Sequence, residues 1–314
     1  MDVLSEIFSA LRLEAGLYFS TCFRGEFAVR LAAERRRIRF HLVLEGSCVV
    51  TVPDHAPVRL SEGDLALIPE GAPQVLSSGE NIDGALDLDM VLSRTPPVSG
   101  ILHFGEEGEL CRLLCGFLRF DEAIGHPVLE NLPPLIVIPP PDGDQPKGVG
   151  AAIALLRAEA DDQGSGQVSI VLRTVEILLM QAARLRLSDP GPESGGFASA
   201  LSDPKLYRAL RAIHSQVEQP WDVDGLASVA GMSRSRFAHW FTRSVGMTPM
   251  AYLTRWRMIR ARQLLSAPGL DLAEVAERCG YRSVPAFGRR FAQIYGVGPG
   301  TWRKRARSGQ NEPN

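Results

Sequence analysis

No run of about 18 apolar residues occurs in this 314-residue chain, so a membrane-spanning helix is not expected. The opening MDVLSEIFSALRLEAG has acids where a secretory signal needs a basic stretch leading into a long apolar core. A cytoplasmic protein is therefore expected. The five cysteines, Cys22, Cys48, Cys111, Cys115 and Cys279, are odd in number and contain no C-x-x-C, so in a reducing compartment they read most simply as buried thiols. Gly-x-Ser-x-Gly, a phosphate-binding loop and a dinucleotide fingerprint are all missing. A large net charge is missing too: the formal value is −2.

That small net charge hides an asymmetry. Residues 200–314 hold 18 Lys+Arg and 8 Asp+Glu, leaving 16 basic and 28 acidic groups for the rest, so +10 is joined to −12. Only the C-terminal segment is suited to a polyanion. The length suggests two domains at roughly 100–200 residues each.

Residues 1–20 read as a helix running into a strand. FAVRLA, IRFHLVLEGSCVVTV and VRLSEGDLALIPEGAPQVLS are rich in β-branched and aromatic residues, with turns at Gly63-Asp64 and Glu70-Gly71, and strands continue to about Ile138. Many short strands suggest a barrel or sandwich. Two helical patterns follow, GVGAAIALLRAEA and SIVLRTVEILLMQAARLRL. The second puts Ile170, Val171, Val175, Leu178, Leu179 and Ala182 on one side, a stripe wide enough to cover a barrel and meet a partner helix. Residues 188–204, SDPGPESGGFASALSDP, read as a linker, and the chain from Lys205 onward reads as helix after helix.

Within this helical segment a short pattern occurs twice. Leu226-Ala227 and Val275-Ala276 lie five and four residues before Gly231 and Gly280, each glycine suited to a left-handed helix end. Ser233 and Ser283 follow as N-caps, then Phe237 and Phe241, or Phe287 and Phe291, four apart on one helix face. The opposite face carries Arg234, Ser235, Arg236, His239 and Arg243 in the first copy. In the second it carries Val284, Pro285, Ala286, Arg289 and Arg290. Helix, glycine turn and basic helix form a helix-turn-helix unit, and two units joined by one long helix can read major-groove segments about one helical turn apart. An ordinary helical bundle is the bland alternative. It leaves the duplicated pattern, the Arg-rich joining helix and the +10 balance as coincidence.

Residues 205–305 resemble the DNA-binding domain of arabinose-regulator (AraC/XylS) transcription factors. The resemblance rests on LASVAGMSRSRFAHWFTRSVGMTPMAYLTRWRMIRARQLL and EVAERCGYRSVPAFGRRFAQIYGVGPGTWR. The usual Pro-x-x-Tyr-Arg stands here as Pro299-Gly-Thr-Trp302-Arg303. The resemblance implies base-facing roles for Arg234, Ser235, His239, Val284, Pro285, Ala286 and Arg289. It leaves Ser233, Arg236, Arg243, Ser283, Arg290, Arg303 and Lys304 for phosphate. Val284, Pro285 and Ala286 offer only apolar contact, so the second helix is expected to position more than specify. Arg255, Arg257 and Arg260 on the joining helix read either as phosphate contacts or as a solvated, salt-bridged face.

The acidic half resembles cupin barrels. GDLALIPEG supplies Gly63, Pro69 and Gly71 of the second cupin motif, with Gln74 in place of its histidine. RFHLVLE supplies His41 and Glu45 of the first, with Arg39 in place of its other histidine. Two of the usual four ligands remain, so no metal or other cofactor is expected. Residues 16–140, including CRLLCGFLRFDEAIGHPVLENLPPLIVI, resemble the cupin-like sensing domains of the same family. Tyr18, Phe40, His41 and Gln74 are candidate effector contacts, although a strand histidine is also often a satisfied core group. Cys111 and Cys115, four apart, share a face if helical. Cys22 and Cys48 fall in early strands. All four are either redox sensors or buried small hydrophobes.

The expected fold is α+β in two domains: a cupin-like barrel with flanking helices at 1–187, a linker at 188–204, and an all-α domain with two helix-turn-helix units at 205–307. The expected function is a cytoplasmic, non-enzymatic transcription regulator, an activator and homodimer through helices within 150–187. Its expected partners are double-stranded DNA, RNA polymerase and a small effector. Alternatives are a cupin-type enzyme or redox sensor with an appended DNA-binding domain, and a nucleic-acid-binding module without sequence preference.

Overall fold

The computed structural model describes residues 2–11, 14–34, 37–69, 71–119, 132–140, 147–161, 164–188 and 196–307. These fall into two compact units, one within Leu13–Phe120 and Leu132–Leu185, the other within Met1–Arg12 and Arg186–Asn314.

The first unit is built from strands β1 (Glu14–Arg24), β2 (Ala28–Leu31), β3 (Arg37–Glu45), β4 (Ser47–Thr51), β5 (Val58–Ser61), β6 (Leu65–Ile68), β7 (Gln74–Ser77), β8 (Leu86–Asp87), β9 (Ile101–Phe104), β10 (Leu110–Arg119) and β11 (Ile136–Ile138). Six form one sheet in the order β11-β6-β3-β10-β1-β9, and five form another in the order β5-β4-β7-β2-β8. One core takes side chains from both: Phe23, Val43, Ala66 and Leu113 from the first sheet, Val29, Val50, Leu60 and Leu76 from the second. The result is an open barrel rather than a closed one, two sheets that share one core and are not joined by strand pairing among the described residues, built of short strands that each bury an apolar face. Strand β3 lies between β10 and β6, so His41 is paired with Cys115 on one side and Ala66 on the other.

Helices α2 (Leu88–Arg94), α3 (Lys147–Asp161) and α4 (Gln167–Ser188) complete this unit. Of the stripe expected on α4, Val171, Val175, Leu178, Leu179 and Ala182 are buried, while Ile170 is exposed beside Val168 and Ile177. Residues 120–131, in the middle of the cupin-like stretch that begins at Cys111, lie outside the described residues.

The second unit is all helical: α1 (Val3–Leu11), α5 (Phe197–Ser202), α6 (Pro204–Ser215), α7 (Val223–Ala230), α8 (Arg234–Val245), α9 (Pro249–Ser266), α10 (Leu272–Arg278), α11 (Val284–Tyr295) and α12 (Pro299–Arg307). Two placements differ from the sequence reading. Helix α1, expected with the barrel, packs on α6 and α9, because Val3 and Ile7, one turn apart, bury their side chains there. Gln263 Nε2 donates to Ser9 O at 3.2 Å, and Glu6 lies 3.8 Å from His214 Nδ1. The end of the expected linker is ordered as well: Phe197 is fully buried and stacks on Tyr252 at 5.9 Å, and Asp203 caps α6.

Candidate nucleic-acid interface and barrel interior

Each helix-turn-helix unit is set by local chemistry. Asp222 accepts from Gly225 N at 2.7 Å to start α7, and Asp271 with Glu274 forms a capping box at 2.8 Å in both directions to start α10. Gly231 (φ 66°) and Gly280 (φ 74°) then reverse the chain, with Met232 N donating to Ala227 O and Tyr281 N to Ala276 O. The second helix of each unit buries its phenylalanine pair: Phe237 and Phe241 lie 5.5 Å apart, Phe287 and Phe291 5.7 Å apart, all fully buried. Burying such side chains stabilises by roughly 1.5–3 kcal/mol each. That packing decides which face of the helix is left for a partner.

On α8 the free face carries Arg234, Ser235, Arg236, His239 and Arg243, all exposed. Ser283 caps α11 through Ala286 N at 3.3 Å, whereas Ser233 holds the N-cap position of α8 without a side-chain bond. On α11, Pro285, Arg289 and Arg290 are exposed and Ala286 is half-buried. Val284 is partly packed into the core formed by Met258, Val275, Phe287 and Phe291, so it offers less to a groove than its position suggests. Arg290 bonds Gln293 at 2.8 Å. Lys304 is exposed, but Arg303 is half-buried with Nε and Nη2 turned away from the surface.

Three features of this face escaped sequence reasoning. Arg234 is hydrogen-bonded and ion-paired to Asp224 of α7. Trp240 is 39% exposed on α8, with Arg236 over its ring at 5.2 Å. The Arg-rich joining helix α9 uses two of its cations internally. Arg257 donates to Val217 O at 3.0 Å and Gln219 O at 2.6 Å, and buried Arg262 lies 4.5 Å from the Trp302 ring and 5.2 Å from Tyr295. Trp302 also packs 5.4 Å from Tyr295 and 6.1 Å from Phe291, as an aromatic anchor for α12.

In the barrel the four effector candidates separate. His41 and Gln74 are fully buried together, Gln74 Nε2 to His41 Nε2 at 2.7 Å, and His41 Nδ1 lies 3.0 Å from Cys115 Sγ. Burial pushes His41 down to about 3, so the ring is neutral. Tyr18 is instead tied to Glu34 and Arg37 and packs 4.9 Å from Phe117. Phe40 lies against Gly116, on the sheet face opposite His41, because successive strand residues alternate. Arg39 is buried and donates to the carbonyls of Ala32 and Ala72.

Cys111 and Cys115 share a face of strand β10, not of a helix. Cys48 and Cys111 share a hydrogen bond that pushes Cys48 up and Cys111 down, while Cys22 is half-buried on β1. The donor set does not fit a cupin metal. Arg39 brings a cation, Glu45 lies at the strand end 3.7 Å from Arg112, and no group of three suitable ligands occurs among the described residues.

An open cupin barrel joined to an all-helical unit with two exposed basic recognition helices defines a DNA-binding regulator. Comparison with known proteins agrees with that class. Residues 2–187 match the cupin family and residues 226–305 a helix-turn-helix domain. A putative AraC-like transcription regulator of Streptomyces antibioticus is 31% identical over 97% of this chain and 99% of its own. One of Streptomyces lividans is 30% identical over 97% and 98%. The HTH-type transcriptional regulator AlkR of Acinetobacter baylyi is 30% identical over 98% and 100%. The chain belongs to the AraC-type family of DNA-binding transcription regulators, with a cupin domain before its helix-turn-helix domain. No helix among the described residues is long and apolar enough to cross a membrane.

Proposed function

We propose that α8 and α11 enter adjacent major-groove segments of one duplex. Arg234, Ser235 and His239 read bases in the first segment; Pro285, Ala286 and Arg289 contact bases in the second. Arg236, Arg243, Arg290 and Lys304 hold phosphate. The observation that carries this reading is the paired geometry: two helices whose buried phenylalanines orient an exposed basic face. The protein acts in the cytoplasm, without enzymatic turnover, as an activator that contacts RNA polymerase. A small effector at the barrel modulates it. It pairs as a homodimer through α4, where Ile170 and Ile177, seven residues apart on one helix face, are 40% and 43% exposed.

The test is binding of the full chain to DNA from beside its own gene against a scrambled duplex, at two salt concentrations. Specific binding survives competitor, and Arg234→Ala and Arg289→Ala each weaken it by roughly 1–3 kcal/mol. Absence of binding to any duplex at low salt overturns the proposal. Equal binding to both duplexes with a steep salt slope reduces it to phosphate contact.

A further inference from the structure

The barrel interior holds a polar chain that its apolar surroundings do not need. His41, Gln74 and Cys115 are all fully or almost fully buried, in line, with separations of 2.7 Å and 3.0 Å. Around them lie Val43, Ile68 and Leu113. Gln74 Oε1 is buried without a hydrogen-bond partner among the described residues. The two ends of the amide exchange on a half-turn about its last side-chain bond, so either can face His41, and one end stays unpaired for a ligand in both orientations. Turned, Oε1 accepts from His41 Nε2–H, and Nδ1 is left to accept the proton of the Cys115 thiol. Thiol, imidazole and side-chain amide in series is the arrangement by which cysteine hydrolases activate sulfur. The two residues paired with His41, Cys115 and Ala66, are both small, so the ring is not clamped between large side chains.

We propose that Cys115, His41 and Gln74 form a site that captures a small, uncharged α,β-unsaturated carbonyl compound covalently. The proposal rests on the reading of the barrel as the sensing half. As Sγ bonds to the β-carbon, the thiol proton passes to His41 Nδ1 and the carbon–carbon double bond becomes an enolate. The imidazolium then returns the proton to the α-carbon. The product is a saturated thioether, with neutral His41 restored. There is no leaving group, so the sulfur stays capped, which suits a signal. Both partners start neutral among these side chains: burial pushes the Cys115 thiol up, and burial with the nearby buried Arg39 cation pushes His41 down, so a cationic compound is disfavoured there. Proton transfer within the pair thus replaces a standing thiolate.

The 314-residue chain is treated with limiting methyl vinyl ketone, quenched, digested, and the adduct at each cysteine quantified by mass spectrometry. Cys48 and Cys279 are equally buried controls. Cys115 is expected to react at least about tenfold faster than either, with the preference lost on unfolding and reduced by Gln74→Leu. Reaction of Cys115 no faster than Cys279 in the native wild type overturns the site, whatever the variants do. Adduct formation is expected to change specific DNA affinity by about fivefold or more, an effect that Cys115→Ser removes. An adduct that leaves DNA affinity unchanged overturns the signalling role. A wild type that never binds DNA specifically instead sinks the DNA-reading proposal, while the labelling ratio still decides the site.

Discussion

The two turn glycines occupy equivalent backbone positions but differ in what surrounds them, and one substitution separates the effects. Gly231 and Gly280 both have positive φ, so alanine at either costs roughly 1–2 kcal/mol of left-handed strain. A Cβ at Gly231 meets only Arg208 Nη2 at 3.5 Å, an ordinary contact. A Cβ at Gly280 presses on the guanidinium of Arg257, 2.7 Å from Cζ and 2.9 Å from Nε. To clear it, Arg257 must loosen its bonds to Val217 O and Gln219 O and its position 5.8 Å over Tyr281. One charge-assisted bond weakened contributes about 1.5–3 kcal/mol at most, with the low end suited to this half-buried site. Gly231→Ala is therefore expected to cost about 1–2 kcal/mol and Gly280→Ala about 3 kcal/mol. All four tryptophans, Trp221, Trp240, Trp256 and Trp302, lie in the helical unit, so tryptophan fluorescence during urea unfolding of the full chain reports that unit alone. A Gly280→Ala protein no less stable than Gly231→Ala refutes the steric reasoning.

Three further outcomes are expected. His214 is buried and pushed down to about 3, by burial first and by the Arg260 cation second, so the unfolded chain takes up a proton below about pH 6.5 that the folded chain refuses. The helical unit then keeps its stability above pH 6.5 and loses about 1.4 kcal/mol per pH unit as pH falls toward 3, a slope that His214→Gln flattens in the same fluorescence assay. Asp224→Asn frees Arg234 from its acidic partner. It is expected to raise affinity for scrambled DNA in fluorescence anisotropy and to change stability by under about 0.5 kcal/mol, because both side chains are more than half exposed. Cys279→Ser places a hydroxyl in the core with Phe287 and Phe291, for an expected loss of about 1–3 kcal/mol in thermal or urea unfolding.

Much of the helical unit was legible because its determinants are local. Glycine at a left-handed helix end and phenylalanines one turn apart are pairwise patterns within a dozen residues. The capping aspartates Asp222 and Asp271 were equally local, and each lies nine residues before its turn glycine, so that signal was present and passed over. The Asp224–Arg234 pair was not legible, because it joins two helices whose angle depends on the whole fold. Helix α1 shows the same limit: its sequence states that Val3 and Ile7 want burial, not which unit buries them. In the barrel, a spacing of four places Cys111 and Cys115 on one face of either a helix or a strand, so spacing alone was silent. Phe40 and His41 are neighbours on a strand, and alternation by itself forbids both from facing the interior.

The two halves of the helical unit differ in a way that bears on how they divide the work. Their interiors are near copies: Leu226 and Val275, Ala227 and Ala276, Phe237 and Phe287, Phe241 and Phe291 are all at most 2% exposed. Their outer faces are not. The first helix offers two arginines, a serine and a histidine early on its free face, groups that donate or accept hydrogen bonds at base edges. The second offers proline and a half-buried alanine before its first arginine, and Val284 is drawn into the core. Apolar groups can meet a thymine methyl but cannot distinguish the remaining base edges. Base discrimination should therefore be concentrated in the half-site under α8. A single base change there should cost about 1–3 kcal/mol, and most changes under α11 should cost less. A scan of every base pair across a bound site measures this directly. Equal sensitivity in both halves would show that α11 reads sequence through groups other than Pro285 and Ala286, with DNA shape as the remaining source.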